Sequence, residues 1–280
     1  TVGSKGSPLP EKKSSSVTRI LLFLFCLFIS LLILAQFASI LIGSFQKLWG
    51  INTSFTTEHF KSIGRFSHEL RNSIFFAGIA AVSATILASL SSFFVNRTNL
   101  PCKKYLDVIM QLPAAVPGSL FGLAFSLSAA KIHFHASAFL IVVAMIVGFM
   151  PFSYRIITTV FSQLKTTLDD GASSLGAGKM QIFTTILLPL CRGGLFSSFI
   201  YDFVRAVGTI SAVIFLVSFT TPLASIRILN LAEEGEWGRS AALATILTSV
   251  TFGILALGRF AMAIKSKKIK ILGISKNCNF

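Results

Sequence analysis

Asp202 and Arg205 are the residues best placed to do chemistry in this sequence, because both interrupt a long apolar stretch. They stand three positions apart, so on a helix they share a face. A charge within an apolar span marks a functional position by default. A mutually neutralised pair, packed in a helix bundle or near its cytosolic boundary, is the plainer expectation and the preferred one. His133 and His135 flank one residue in a short loop. Two imidazoles can begin a metal site, but no third ligand lies nearby in the chain, and no metal site is expected. His59 and His68 read as solvated loop residues. No Gly-x4-Gly-Lys-Ser/Thr segment is present, so the chain is not expected to bind ATP itself. It has no metalloprotease motif and no Ser–His–Asp set in a credible context. A non-catalytic protein without a bound cofactor follows. Its remaining informative residues are Pro113, Pro117, Gly118 and Gly122. The two glycines make a small-xxx-small face for close helix approach. The prolines free backbone carbonyls that can line a pathway, and a kinked packing helix would use the same residues.

The elements that hold these residues are set by composition. The chain has 280 residues, of which 53% are hydrophobic and only 12% charged. Its mean hydropathy is +0.78. A soluble domain of this size has too little interior for so much apolar surface, so a membrane protein is expected. Phe supplies 28 of the aromatic residues, against 3 Tyr and 2 Trp, which suits lipid because Phe needs no hydrogen-bond partner. The formal charge of +15 would point to nucleic acid in a soluble protein. Here the basic residues sit at the chain ends and between apolar runs, which fits membrane orientation instead, and no nucleic-acid partner is expected. Cys26, Cys102, Cys191 and Cys278 form no CxxC pair, and no disulfide framework is expected.

A membrane span needs about 20 mostly apolar residues. Six such runs occur, at 20–42, 73–95, 105–128, 136–152, 194–217 and 241–264. The predicted fold is therefore all-α: a polytopic membrane protein with six transmembrane helices. Lys and Arg concentrate in alternate segments. They are Lys5, Lys12, Lys13 and Arg19; then Arg97, Lys103 and Lys104; then Arg155, Lys165, Lys179 and Arg192; then Arg259 and the lysines of the C-terminal tail. This bias places those segments, and both termini, in the cytosol. Residues 1–19 are a polar tail with linker composition and not a signal peptide, 20–264 the membrane domain, and 265–280 a basic tail. Trp49 and Trp237 fall near span ends on the outer side, where indole suits the interface.

The loop 153–194 is longer than the other inner loops. Ile156, Val160, Leu164 and Leu168 recur at helical spacing, which predicts a helix. A break is expected at Gly171, Gly176 and Gly178, then a second helix from Met180 to Leu188 that stops at Pro189. A structured loop of this kind is usually there to touch something, although a plain helical hairpin would look similar.

The loop reads Asp170-Gly171-Ala172-Ser173-Ser174-Leu175-Gly176, then nine positions, then Ile186-Leu187-Leu188-Pro189. It resembles the EAA loop of binding-protein-dependent importer permeases, patterned EAA-x3-G-x9-I-x-L-P. Asp170 stands where Glu is usual and Gly171 where the first Ala is usual. The acid is kept with a shorter reach, and glycine weakens the helix by about 1 kcal/mol relative to alanine. The resemblance implies a coupling-helix loop that docks into cytosolic ATPase subunits and passes their ATP-driven closure to the spans. It also implies a periplasmic or lipid-anchored substrate-binding protein, a second permease half and a place in the bacterial inner membrane.

Further segments are similar to ferric-iron permeases. They are Ser44-Phe45, Trp49-Gly50-Ile51-Asn52, Phe55 to Phe60, Leu112-Pro113-Ala114-Ala115-Val116-Pro117-Gly118, and Gly208 to Leu216. Those permeases often fuse two six-span halves, and the opening Thr1 to Gly6 looks like the tail between halves, so a C-terminal half is expected. Permeases for polyamines, thiamine, sulfate or phosphonates share several of these cues. A stand-alone secondary transporter would more often carry an internal repeat, and none is visible. A membrane enzyme or receptor is disfavoured by the lack of an acid–base or nucleophile cluster.

Overall fold

The structure is a computed structural model that describes residues 15–98, 100–132 and 137–271. His133, His135 and residues 1–14 lie outside the described residues. Helix α1 (Ser16–Ser44) is followed by an antiparallel hairpin, β1 (Gln46–Leu48) and β2 (Asn52–Phe55), with Gln46 opposite Phe55 and Leu48 opposite Asn52. A short helix α2 (Glu58–Ser62) leads through a 3-10 turn into α3 (Ser67–Arg97). Helix α4 (Lys103–Gln111) passes through the 3-10 turn Leu112–Ala115 into α5 (Gly118–Lys131), and α6 spans Ser137–Gln163. The segment after α6 contains α7 (Thr167–Ser174), α8 (Lys179–Ile182), a π turn at Phe183–Leu187 and α9 (Leu188–Leu190). Helices α10 (Arg192–Val207), α11 (Ala224–Glu233) and α12 (Trp237–Ile271) complete the chain.

Four of these helices are long and apolar enough to cross a membrane, and there are six spans when each of two bent pairs counts as one. One bent pair is Lys103–Ala115 with Gly118–Lys131, which turns by 104°. The cause is local: Val116, before Pro117, is extended, as a residue before proline prefers, and the helix restarts at Gly118. The other pair, Lys179–Leu190 with Arg192–Val207, turns by 77° at Cys191. The chain is a multi-pass, all-α membrane protein with one small hairpin.

Helices α3, α6 and α10 form the core. The face of α3 toward the bundle carries Ala77, Ala80, Ala81, Ala84 and Ala88, all buried. Small residues let helix backbones approach, which matters in lipid because the hydrophobic effect does not drive helices together there. Their partners include Ile141, Ala144 and Met145 of α6, and Phe203, Ala206 and Val207 of α10. By contrast, α1 is exposed along 15–42, although it is rich in Leu, Phe and Ile. Such a helix is stable only where lipid or another protein covers it.

Three expectations need correction. The span expected to end at Phe152 runs on to Gln163 through Pro151, because Tyr154, Ile157 and Phe161 bury their side chains in a second core cluster with Phe93, Phe183 and Leu187. The buried stripe is thus offset from Ile156, Val160 and Leu164, which are only half-buried. Gly171 does not break the loop; it lies inside α7, and the break comes at Gly176. The span expected over 194–217 ceases to be helical at Val207, and residues 210–217 form a chain of turns.

Candidate functional site

The segment between α6 and α10 is built around one buried guanidinium. Arg97, the last residue of α3, has a side chain only 4% exposed. Its Nη1 donates to Asp169 Oδ2 at 2.9 Å. Its Nη2 donates to the carbonyls of Phe161 and Leu164, at 2.6 and 2.7 Å. Those carbonyls sit at the end of α6, where the last turn of a helix lacks internal donors and carries partial negative charge. One planar fork therefore closes α6 and grips α7. In the sequence Arg97 counts only toward the positive charge between two spans. Its role depends on a contact across more than sixty positions of sequence, and only its place at a helix end hinted at it.

Helix α7 ends in a Schellman closure. Gly176 has φ +85°, its N–H donates to the Ser173 carbonyl at 3.0 Å, and the Ala177 N–H donates to the Ala172 carbonyl at 3.1 Å. Glycine fits this left-handed position without a Cβ penalty. Ala172 and Ala177 are half-buried against the cluster that includes Phe161 and Phe183, and Leu175 stands 89% exposed at the tip. Asp170 and Gly171 are exposed. The acid held by Arg97 is therefore Asp169, and Asp170 is left to face outward. On the returning limb Ile186 and Leu188 are half-buried, and Pro189 is exposed. Ile182, Phe183 and Leu187 are buried beside Phe93 and Phe161, with the Phe93 and Phe183 ring centroids 4.7 Å apart. The segment is thus anchored by aromatic packing and one buried cation, and it presents a small, exposed tip.

A cavity of about 640 Å³ lies further into the bundle. Its wall is made by the elbow between α4 and α5 (Pro113, Ala114, Val116, Gly118), by Gly148, Phe149 and Phe152 of α6, and by Val204, Arg205 and the segment from Gly208 to Ala212. Gly118 and Gly122 pack on that last segment. A Cβ on Gly122 would stand 2.6 Å from the Ala212 carbonyl oxygen, and one on Gly118 would stand 2.8 Å from Ser211 Oγ. Pro113 and Gly118 line the cavity, whereas Pro117 acts as the N-cap of α5.

Asp202 and Arg205 do not pair. Asp202 is 1% exposed, and Ser153 Oγ donates to its Oδ2 at 2.5 Å. Arg205 faces the cavity with its Cζ 5.9 Å from the centre of the Phe149 ring. Three positions on a helix span about 300°, so the small remaining offset lets neighbouring helices draw the two side chains apart. Beside them, Tyr154 donates to Asp107 Oδ1 at 2.7 Å, and Arg155 donates to Gln111 Oε1 at 2.8 Å, which ties α4 to α6.

The model of the "binding-protein-dependent transport system inner membrane component" family matches residues 84–270. The chain belongs to that family. The matched region contains the second half of α3, all of α6 and α10, the residues that line the cavity and the whole segment between α6 and α10. Among curated proteins, the family member is 31% identical over 229 residues to the ferric transport system permease protein FbpB of Actinobacillus pleuropneumoniae, covering 79% of this chain and 33% of that protein. It is 44% identical over 93 residues to the putative ferric transport system permease-like protein AfuB of Escherichia coli, covering 33% of this chain and 78% of that one. The sulfate transport system permease protein CysT of Salmonella typhimurium is 26% identical over 194 residues, covering 64% of this chain and 70% of CysT. The chain spans about a third of the length of the FbpB proteins it matches. A bacterial alginate ABC transporter, solved in complex with a pentasaccharide-bound periplasmic protein, shares the fold with a TM-score of 0.71 at 14% identity, over 86% of this chain and 92% of that one.

Proposed function

We propose that this chain is the membrane-spanning half of an ATP-driven, binding-protein-dependent importer in a bacterial inner membrane, and that its cargo is ferric iron. The observation that carries the proposal is the α7 tip. It is an exposed knob closed by Gly176 and held to two spans by Arg97. A knob fixed in this way transmits force, because pushing it moves the ends of α3 and α6 together. ATPase subunits are the proposed source of that force, gripping Asp170, Leu175 and Gly176. The Ile186-x-Leu188-Pro189 limb then passes the motion through the bend at Cys191 into α10, and the cavity alternates its access. ATP hydrolysis belongs to the partner, and this chain is non-catalytic.

On the outer side, the β1–β2 hairpin, α2 and α11 are the proposed seat of a loaded binding protein. The iron assignment is supported by the two ferric-system relatives, which exceed the sulfate permeases in identity. Import is tested with the complete transporter in proteoliposomes, using ⁵⁵Fe, the binding protein and ATP. Gly176→Trp is expected to abolish ATP-dependent uptake while the complex still inserts. Normal uptake by that variant would remove the role given to the tip.

A further inference from the structure

The cavity carries one sign of charge. Among the described residues that line it, Arg205 is the only ionisable one. The remaining wall consists of Pro, Gly, Ala, Val, Ile and Phe, with the hydroxyls of Thr209 and Ser211. Asp202, the acid nearest in sequence, is not part of the wall and is held by Ser153 instead. Arg205 lies thirteen positions into α10, roughly 20 Å along it. Phe149, over which the guanidinium sits, lies twelve positions into α6, roughly 18 Å from its outer end. Both distances put the charge deep within a hydrocarbon layer about 30 Å thick. Arg205 is exposed to the open cavity, and an arginine at that depth marks a pathway or ligand position. Low-dielectric walls also strengthen its field on anything inside the cavity.

We infer that Arg205 makes this cavity selective for a cargo that presents carboxylate or other oxyanion groups, and that it excludes bare cations. The inference rests on the import function proposed above. It adds that iron would cross as an anionic chelate, its positive charge covered by oxygen ligands. Guanidinium suits this task because its planar fork matches carboxylates and similar anions and stays charged. The volume of about 640 Å³ is within the usual range for sites that enclose a small ligand.

The test is a sign test on uptake. The complete transporter, with its ATPase and binding protein, is reconstituted in proteoliposomes and supplied with ⁵⁵Fe as the citrate chelate. Arg205→Lys is expected to keep most of the uptake, Arg205→Gln to lower it about tenfold, and Arg205→Glu to lower it further. Binding-protein-stimulated ATP hydrolysis should persist in all three, since the α7 tip is unchanged. A second pair guards against misfolding. Ala114 is exposed at the cavity wall and lies outside the cytosolic segment. Ala114→Asp should lower uptake further than Ala114→Lys does. Uptake unchanged or raised in Arg205→Gln, Arg205→Glu and Ala114→Asp would overturn the inference, because a bare cation gains from each change. An unmodified transporter without ATP-dependent uptake of ⁵⁵Fe would instead overturn the iron import function itself.

Discussion

Gly118 and Gly122 look equivalent in the sequence, yet their surroundings differ. A methyl on Gly122 would meet the Ala212 carbonyl, a backbone atom held in the chain of turns that follows α10. A methyl on Gly118 would be crowded by the Ser211 hydroxyl, which can rotate away, and would touch the Ala212 nitrogen and Ser211 Cβ only at ordinary contact distance. Gly122→Ala is therefore expected to destabilise by about 1–3 kcal/mol, as overpacking does, and Gly118→Ala by much less. Thermal unfolding of the two variants in detergent checks this. Equal losses would mean that the turn segment yields and that the glycine pair is not a close-packing contact. Asp202 and Arg205 teach a related lesson. Helical spacing brought them to one face, but Ser153 on a different helix claimed the carboxylate, and the arginine was left to the cavity.

The joint between α3, α6 and α7 depends on Arg97 and Asp169 as a unit. Removing one partner of a buried pair leaves the other charge uncompensated, which costs about 3–5 kcal/mol. Arg97→Met is expected to cost this much and also to release the Phe161 and Leu164 carbonyls, whereas Asp169→Asn should cost less because the carbonyl contacts remain. The combined variant should be less damaging than the sum of the two. Unfolding midpoints across this double-mutant cycle measure the coupling, and strict additivity would show that the 2.9 Å contact carries no energy. The loop motif was legible at this scale because its chemistry is local. Gly176 must be glycine where the backbone turns left-handed, and Ile186 and Leu188 lie on the half-buried side of the returning limb. Two local inferences misled. Gly171 is a weak helix residue, yet α7 is short, is started by Thr167 after a turn and is closed by its own Schellman bonds, so one glycine does not stop it. The apolar run after Val207 has span-like composition, but Gly208 caps α10, and the chain then folds into turns packed on α5.

For the whole molecule, the charge bias predicts that the α7 tip faces the cytosol and the hairpin faces outward. In a background with Cys26, Cys102 and Cys278 replaced by serine, Ile51→Cys should react with a membrane-impermeant thiol reagent in intact spheroplasts. Leu175→Cys should react only in inverted vesicles. Both side chains are among the most exposed apolar groups, so accessibility of the thiol itself is not limiting. The opposite labelling pattern would invert the orientation and remove the ATPase contact. Composition alone determined that the protein lives in a bilayer and is helical, because apolar runs of this length have no other stable solution. The number of spans did not follow from it: six apolar runs occur, but four helices can cross a membrane alone, and six spans result only when each bent pair counts as one. Tertiary structure alone decided which charges meet. It gave Arg97 to Asp169, gave Asp202 to Ser153, and left Arg205 facing a cavity. The reason is physical. Hydropathy is a sum over neighbours in sequence and survives without a fold, whereas a buried charge takes the partner that packing brings within hydrogen-bonding distance, and those partners lie 49 and 72 positions away.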